Sequence, residues 1–485
     1  MIVFMSSIKK NYIFQISYQI LIIILPIFTA PYVSRVLGVE GVGTYSYTFS
    51  VANYFVLFAM LGINNHGSRR IAMVRDNKEK LNQTFSSILT IHIISSIIMI
   101  ILYLGYSLFI VKENSLFALI STIYILAALF DVNWFFFGME KFKITVTRNI
   151  IIKILTVLLI FLCVKDKNDL VIYILIMAIG TFISQSMIWG LINKYVQIVK
   201  PSWSEITTHF KPMLIMFIPT LSVSLYRIMD KVLLGALTDH SQVGLFDNAE
   251  KIINIPLALI TGLGTVMLPR MSNLVTNSDF ARAERYFSNS MKFAIIVSLG
   301  WFFGVSAIAP KFAPVFFGIE FEKTGAIMQG LAITIPFIAF ANVIRTQYLI
   351  PNNLDSIFVK SVLIGAVISV ITNIILIPHY QALGSTVATV LAEISVCAYQ
   401  CWAVRRELSI KKHIKSSVYF VFLGFLMFII VSVISMNLPD SALYMILETM
   451  AGVLIYSLGT LIYLYIFKDE LLYTFAKRKV GSINR

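Results

Sequence analysis

Long apolar stretches recur along the whole chain and alternate with short polar segments. A helix needs about 20 mostly apolar residues to cross the hydrocarbon core of a membrane. Fourteen stretches meet this requirement, near residues 11–34, 43–64, 84–111, 115–137, 145–164, 170–192, 212–236, 244–268, 290–310, 325–350, 357–377, 384–404, 417–437 and 442–466. Unbroken apolar runs such as Ile150–Ile152 lack the alternation of barrel strands. The pattern therefore predicts an all-α integral membrane protein with about 14 transmembrane helices.

The composition supports this prediction. Hydrophobic residues make up 58% of the 485 residues, charged residues make up 13%, and the mean hydropathy is +0.84. About a quarter of the residues of a soluble domain are charged, so this chain has too few charges to cover a water-exposed surface. Its three cysteines lie in apolar stretches, without the spacing of a disulfide framework or a zinc site. We therefore expect neither a metal nor a cofactor.

The net charge of +15 first suggests a nucleic-acid partner, but the positions of the charges indicate membrane topology instead. If the amino terminus is cytoplasmic, 28 of the 39 Lys and Arg residues lie in inside segments, 6 in outside loops and 5 within spans. An excess of cations on the inside is the rule for membrane proteins. The distribution predicts that both termini are cytoplasmic, and it excludes a nucleic-acid footprint.

A short motif occurs twice, at the junction of spans 1 and 2 and again at the junction of spans 7 and 8. The first copy reads Pro26, Arg35-Val-Leu-Gly38 and Gly43-Thr-Tyr45; the second reads Pro219, Lys231-Val-Leu-Leu-Gly235 and Gly244-Leu-Phe246. Six spans separate the copies, so the two halves have the same orientation. We predict two parallel six-helix bundles, residues 1–211 and 212–416, followed by two more spans and a cytoplasmic tail in 417–485. Interrupted helices at corresponding positions of two halves indicate a transporter's binding site.

At these motifs the chain resembles the polysaccharide transporter (oligosaccharide flippase) family of the multidrug/oligosaccharidyl-lipid/polysaccharide exporter superfamily. The resemblance is carried by Pro31-Tyr-Val-Ser-Arg-Val-Leu-Gly-Val-Glu-Gly-Val-Gly-Thr-Tyr45, by Asp230-Lys-Val-Leu-Leu-Gly235 and by Val243-Gly-Leu-Phe-Asp-Asn-Ala-Glu-Lys251. Val39 departs from the proline that we expect in this family, which affects only the conformation of the loop.

The resemblance implies two bundles around a central, partly cationic cavity in the cytoplasmic membrane of a bacterium. It implies that a polyprenyl-diphosphate-linked oligosaccharide moves from the inner to the outer leaflet by alternating access. Such substrates serve the synthesis of capsule, exopolysaccharide or O-antigen polymers. The implied partners are this substrate, membrane lipid, and a polysaccharide polymerase with its chain-length proteins.

Polar side chains at membrane depth are costly and tend to face a cavity, so they are the candidate site residues. Helical spacing places Arg227 and Lys231 on one face of span 7, and Asp247, Lys251 and Asn254 on one face of span 8. The candidates for substrate binding are Arg227, Lys231, Lys251, Arg345, Asn53 and Asn254. The candidates for ion coupling or a gate are Asp230, Asp247 and Glu250.

Two alternatives for these charges stay open. The three cations and three anions of spans 7 and 8 sum to zero, so they can equally neutralise one another as a brace or an extracellular gate. Arg345 is predicted toward the cytoplasmic side, where its planar guanidinium suits phosphate oxygens. Its other interpretations are a pair with Asp131 of span 4 and snorkelling to the interface.

Three other functions compete with the glycan flippase. A lipid II flippase and a drug/cation antiporter belong to the same superfamily, and a membrane polysaccharide polymerase or glycosyltransferase belongs to a different class. The predicted outside loops are about fifteen residues at most and cannot fold as a catalytic domain. The sequence also lacks the Gly-x-x-x-x-Gly-Lys-Ser/Thr phosphate loop. We therefore expect no catalytic residues and no enzyme activity.

Overall fold

The computed structural model describes residues 2–467, with side chains described from Ile24 onward except at positions 225 and 226. The predicted cytoplasmic tail, and the side chains of the first half of predicted span 1, lie outside the described residues. The α-helices are α1 Ile2–Met60, α2 Ile63–Val74, α3 Lys78–Gly105, α4 Ser115–Leu129, α5 Asn133–Gly138, α6 Phe142–Cys163, α7 Leu170–Met187, α8 Trp189–Ile192, α9 Trp203–Leu237, α10 His240–Thr276, α11 Phe280–Phe317, α12 Thr324–Ala332, α13 Thr334–Ile344, α14 Asp355–Ala403, α15 Ile410–Met436 and α16 Ala442–Ile466. This confirms the all-α prediction. Lipid offers the backbone no hydrogen-bond partners, so a span must satisfy its backbone hydrogen bonds within its own helix.

The predicted number of 14 spans is not confirmed. Within residues 2–467, 11 helices are long and apolar enough to cross a membrane, or 12 if Trp203–Ser224 and Arg227–Leu237 together form one bent span. The difference between 12 and 14 arises in α1 and α14, each of which covers two predicted spans. Both are interrupted at a single non-helical residue, Gly38 (φ 70°, ψ 179°) and Gln381 (φ 53°, ψ −129°).

These two breaks lie inside the predicted junctions 35–42 and 378–383. A straight helix of the 49 residues of α14 would be about 74 Å long, more than twice the ~30 Å hydrocarbon core. Its break leaves 26 residues before Gln381 and 22 after it, so each part has the length of a span. The predicted loop is therefore a kink of one residue, and Gly38 suits the corresponding kink in α1 because glycine adopts positive φ at low cost.

The first compact unit is Met1–Gly244. The short helix α5 inserts Trp134, Phe135 and Phe136 into its core, where all three are fully buried, and the ring of Phe85 from α3 stacks on Trp134 at 5.4 Å. Gly67 of α2 lies against the Trp134 ring, where a Cβ would come within 2.6 Å. This small residue lets α2 pack on the aromatic cluster. Helix α9 packs against α1, α2 and α3.

The second compact unit begins at Leu245, within α10. Its central helix is α11, which packs against α12, α13, α15 and α16. Lys311 of α11 forms ion pairs with Asp440 (3.1 Å) and with Glu448 of α16 (3.9 Å). Gly424 of α15 allows close approach of the Phe303 ring. The sequence division at 211/212 and 416/417 stays a prediction.

Candidate functional site

The two copies of the repeated motif contact each other within the first unit. A Cβ on Gly43 would lie 1.7 Å from the carbonyl oxygen of His240, and a Cβ on Gly244 would lie 2.2 Å from that of Val39. The contact is reciprocal. Gly43 lies against the carbonyl of His240, four residues before Gly244, and Gly244 lies against the carbonyl of Val39, four residues before Gly43. Thr44 Oγ1 lies 3.1 Å from His240 Nδ1. Only glycine allows the backbones of α1 and α10 to come this close.

The predicted cations of span 7 lie on α9, in the first unit. Arg227 is exposed, Lys231 is half-buried, and Asp230 between them is buried at 3% exposure. Asn53 is half-buried on the facing part of α1, where the hydroxyl of its neighbour Tyr54 donates a hydrogen bond to the Ser224 carbonyl at 3.5 Å. The packing of α9 on α1 therefore places these polar positions on neighbouring helices.

The predicted charges of span 8 lie on α10, in the second unit. Lys251 Nζ is 2.7 Å from Asp247 Oδ2 and donates to Asn248 Oδ1 at 3.1 Å. Asp247 is buried, whereas Glu250 is half-buried and Asn254 is exposed. The structure thus brings Lys251 and Asp247 together as an ion pair, which partly neutralises both. A common cavity for the candidates of the two units stays a prediction.

Arg345 lies in the second unit, at the start of a π-helical segment, Arg345–Leu349. Its Cζ is 4.7 Å from the centre of the Phe358 ring, which is a cation–π contact. The sequence reasoning missed two polar neighbours, the buried Gln347 and the half-buried Asn342. Neither the Gln347 side-chain amide nor Asn342 Oδ1 has a hydrogen-bond partner among the described residues. Single π-turns within helices occur frequently at functional sites.

The signal that could have found this cluster is the group of polar residues Asn342, Arg345, Thr346 and Gln347 within an otherwise apolar stretch. Gly264 of α10 lies beside it, where a Cβ would come within 2.6 Å of Asn342 Oδ1 and 3.0 Å of the Thr346 side chain. Thr346 Oγ1 donates to the Asn342 carbonyl at 2.7 Å. The Arg345 guanidinium, the Gln347 amide and the Asn342 amide oxygen thus lie within little more than one helical turn.

The sequence reasoning also missed a polar network in the first unit. Asp131 Oδ1 accepts from the backbone N–H of Asn133 at 2.9 Å, and Asp131 Oδ2 accepts from Gln185 at 3.3 Å. Arg148 is buried and donates to the side-chain oxygens of Asn133 (2.9 Å) and Asn149 (2.8 Å). These hydrogen bonds join α5, α6 and α7. Asp131 and Arg148 therefore have structural partners within this unit.

Comparison with known proteins identifies the family of the chain. Residues 8–275 match the family described as "Polysaccharide biosynthesis protein". The chain is 24% identical over 386 residues to the "Putative O-antigen transporter" of Shigella dysenteriae, covering 79% of this chain and 96% of that protein. It is 23% identical over 416 residues to the protein of the same name from Escherichia coli (strain K12), covering 83% and 97%.

The fold is also similar to that of a solved protein, "Lipid II flippase MurJ, inward closed conformation". The TM-score is 0.78 at 16% identity, and the likeness covers 95% of this chain and 99% of that one. At this identity the comparison establishes the fold alone. The resemblance drawn from the two motifs is confirmed, and the family match covers more than half of the sequence. The chain belongs to the polysaccharide biosynthesis protein family.

Proposed function

We propose that the chain is a flippase that carries a polyprenyl-diphosphate-linked oligosaccharide from the inner to the outer leaflet of a bacterial cytoplasmic membrane. It acts by alternating access as a transporter without catalysis, and both termini are cytoplasmic. The product serves capsule, exopolysaccharide or O-antigen synthesis, together with a polymerase and its chain-length proteins. The named O-antigen transporters, which match along 79% and 83% of the chain, support this proposal.

The polar cluster around Arg345 is the observation that carries the proposal in the structure. A buried amide without a hydrogen-bond partner costs free energy, so Gln347 and Asn342 are suited to a ligand that brings donors and acceptors. Sugar hydroxyls and phosphate oxygens are such groups. The guanidinium adds a planar fork that binds phosphate in bidentate geometry. Arg227 and Lys231 on α9 supply further positive charge for a diphosphate.

Charge removal tests the proposal in a strain that lacks the chromosomal copy. We expect Arg227→Ala, Lys231→Ala and Arg345→Ala each to reduce export of the glycan by about tenfold, since a hydrogen bond to a charged group contributes about 1.5 kcal/mol or more. Arg345→Lys should restore little, because an ammonium cannot reproduce the fork. Arg406→Ala is the matched control, as an exposed cation outside the candidate set. Unchanged export in all three variants, at normal protein levels, would refute the cationic site.

A second candidate is lipid II transport, because the chain shares its fold with a lipid II flippase over 95% of its length. Deletion separates the two. Loss of a glycan flippase leaves viable cells in which sugar-loaded carrier lipid accumulates on the cytosolic leaflet. Loss of the lipid II flippase of a cell prevents growth.

A further inference from the structure

A polar cavity of about 430 Å³ lies in the second unit, between the first turns of α11 and the start of α15. Its walls include Arg285, Asn289 and Lys292 from α11, and Lys412 and His413 from α15. The spacing of four and three residues along α11 places its three side chains on one face of the helix. The cavity is remote in sequence from the motifs and from the Arg345 cluster.

The charges that line the cavity are mostly positive. Among the described residues that line it, three are cations, Arg285, Lys292 and Lys412, and one is a carboxylate, Glu284. Ser288 and Ser409 add hydroxyl donors to the wall. An anion with several acceptor oxygens complements such a set, since hydrogen bonds from charged donors are short and strong.

Two buried aromatic side chains, Phe287 and His413, also line the cavity. His413 is 4% exposed, and the Phe287 ring meets it edge-on at 5.8 Å. This packing fixes the start of α15 against α11, so Lys412 and Lys292 are held by two rigid helices.

The first unit contains a corresponding pocket. A cavity of about 180 Å³ between α2, α3 and α9 is lined by Arg70, Lys80, Ser87, Glu205 and the buried His209. Helices α3 and α11 contain predicted spans 3 and 9, and α9 and α15 contain predicted spans 7 and 13, so each pair is six spans apart. The two halves thus repeat a cationic pocket beside a buried histidine at the start of a helix.

From these observations we propose that the α11/α15 cavity binds a phosphate group. The distribution of Lys and Arg predicts that this end of α11 is cytoplasmic, where anionic lipid headgroups attract cations. The phosphate belongs either to a phospholipid of the inner leaflet or to a soluble anion. The pocket lies outside the residues assigned to glycan transport, so it stands independently of that function.

The test uses the detergent-purified full-length protein and follows its thermal unfolding during titration with phosphatidylglycerol or with inorganic phosphate. A ligand that binds the folded state raises the unfolding midpoint. The titrations are run at about 0.15 M NaCl, where attraction between exposed charges more than about 8 Å apart is screened. The pocket variant is Lys292→Gln/Lys412→Gln. The matched control is Lys411→Gln/Lys415→Gln, which removes two charges from the same region of α15 outside the cavity.

We expect the pocket variant to raise the half-saturating concentration about tenfold, and the control variant to leave it unchanged. A response to the lipid alone identifies a headgroup as the source, and a response to inorganic phosphate identifies a soluble anion. If the double variant does not fold, Lys412→Gln alone carries the test, because Lys412 is exposed. The proposal is wrong if wild type responds to neither probe, or if pocket and control variants respond alike.

Discussion

Substitution of Gly43 by alanine tests the reciprocal contact between the two motif copies. The new methyl group would lie 1.7 Å from the His240 carbonyl oxygen, whereas ordinary contacts of a Cβ are 3.4–4 Å. The oxygen belongs to helical backbone and cannot rotate away, so α1 and the start of α10 must separate by roughly 1.7 Å. Gly244→Ala should act in the same way against Val39, with a smaller displacement because its distance is 2.2 Å.

The free-energy cost of Gly43→Ala follows from two opposing effects. Inserting a methyl group into a packed contact costs about 1–3 kcal/mol, and the upper end applies because the obstacle is backbone. Alanine returns up to about 1 kcal/mol through its higher helix propensity. The net cost of about 2 kcal/mol corresponds to a change of roughly 30-fold in population. A transport cycle that opens this contact would shift toward the open state by at most that factor.

Labelling of a cysteine at Thr44 measures the opening. Thr44 is 3% exposed and lies in the contact, at the start of predicted span 2, next to the junction 35–42 that is predicted to lie outside. In a cysteine-free background, Thr44→Cys should react slowly with an impermeant maleimide on intact cells, and Gly43→Ala should accelerate the reaction. Gly105→Ala is the control, because a Cβ at Gly105 would meet nothing within 4 Å. Equal labelling rates and equal export for Gly43→Ala and Gly105→Ala would refute the reasoning.

Two further predictions concern polar pairs with at least one buried member, with the unfolding midpoint of the purified protein as the measurement. Lys311→Met should lower the midpoint strongly, because it leaves Glu448, which is 1% exposed, as an uncompensated buried charge, at a cost of about 3–5 kcal/mol. Lys311→Met/Glu448→Gln should recover part of the loss. A double variant that is no more stable than Lys311→Met would contradict the pairing. His66 Nε2 lies 3.0 Å from His209 Nδ1, and both rings are buried. His66→Leu should therefore destabilise the protein by about 1–3 kcal/mol, because it leaves a buried nitrogen of His209 unpaired. The double variant His66→Leu/His209→Leu should be destabilised by less than the sum of the two single variants. Additive effects would argue against the hydrogen bond.

Much of the fold could be predicted because transmembrane helices are local structures. Each satisfies its backbone hydrogen bonds within one segment, so apolar length alone locates it. The predicted junctions near Gly38 and Gln381 coincide with the two breaks. The sequence did not show whether each junction is a loop or a kink, because a kink at one residue with positive φ requires no polar segment.

The candidate site was predicted only as a set of polar and charged side chains whose position within the membrane costs free energy. Their sequence positions follow from hydropathy, but their partners depend on which helix faces which. Lys251 pairs with Asp247 on its own helix, which spacing alone allows. The burial of Arg148, and the lack of a hydrogen-bond partner for the Gln347 amide among the described residues, depend on the packing of other helices. The presence of polar residues in the sequence does not indicate either.

The sequence by itself determined the membrane class, the helical segments, the predicted orientation and the family, because each rests on local hydropathy, charge distribution or a contiguous motif. Tertiary structure alone decided that the two motif copies meet glycine to backbone, and that cations gather in the cavity between α11 and α15. The physical reason is distance along the chain. Contacts between residues some 200 positions apart, such as Gly43 and His240, depend on helix packing, which small residues permit but do not specify.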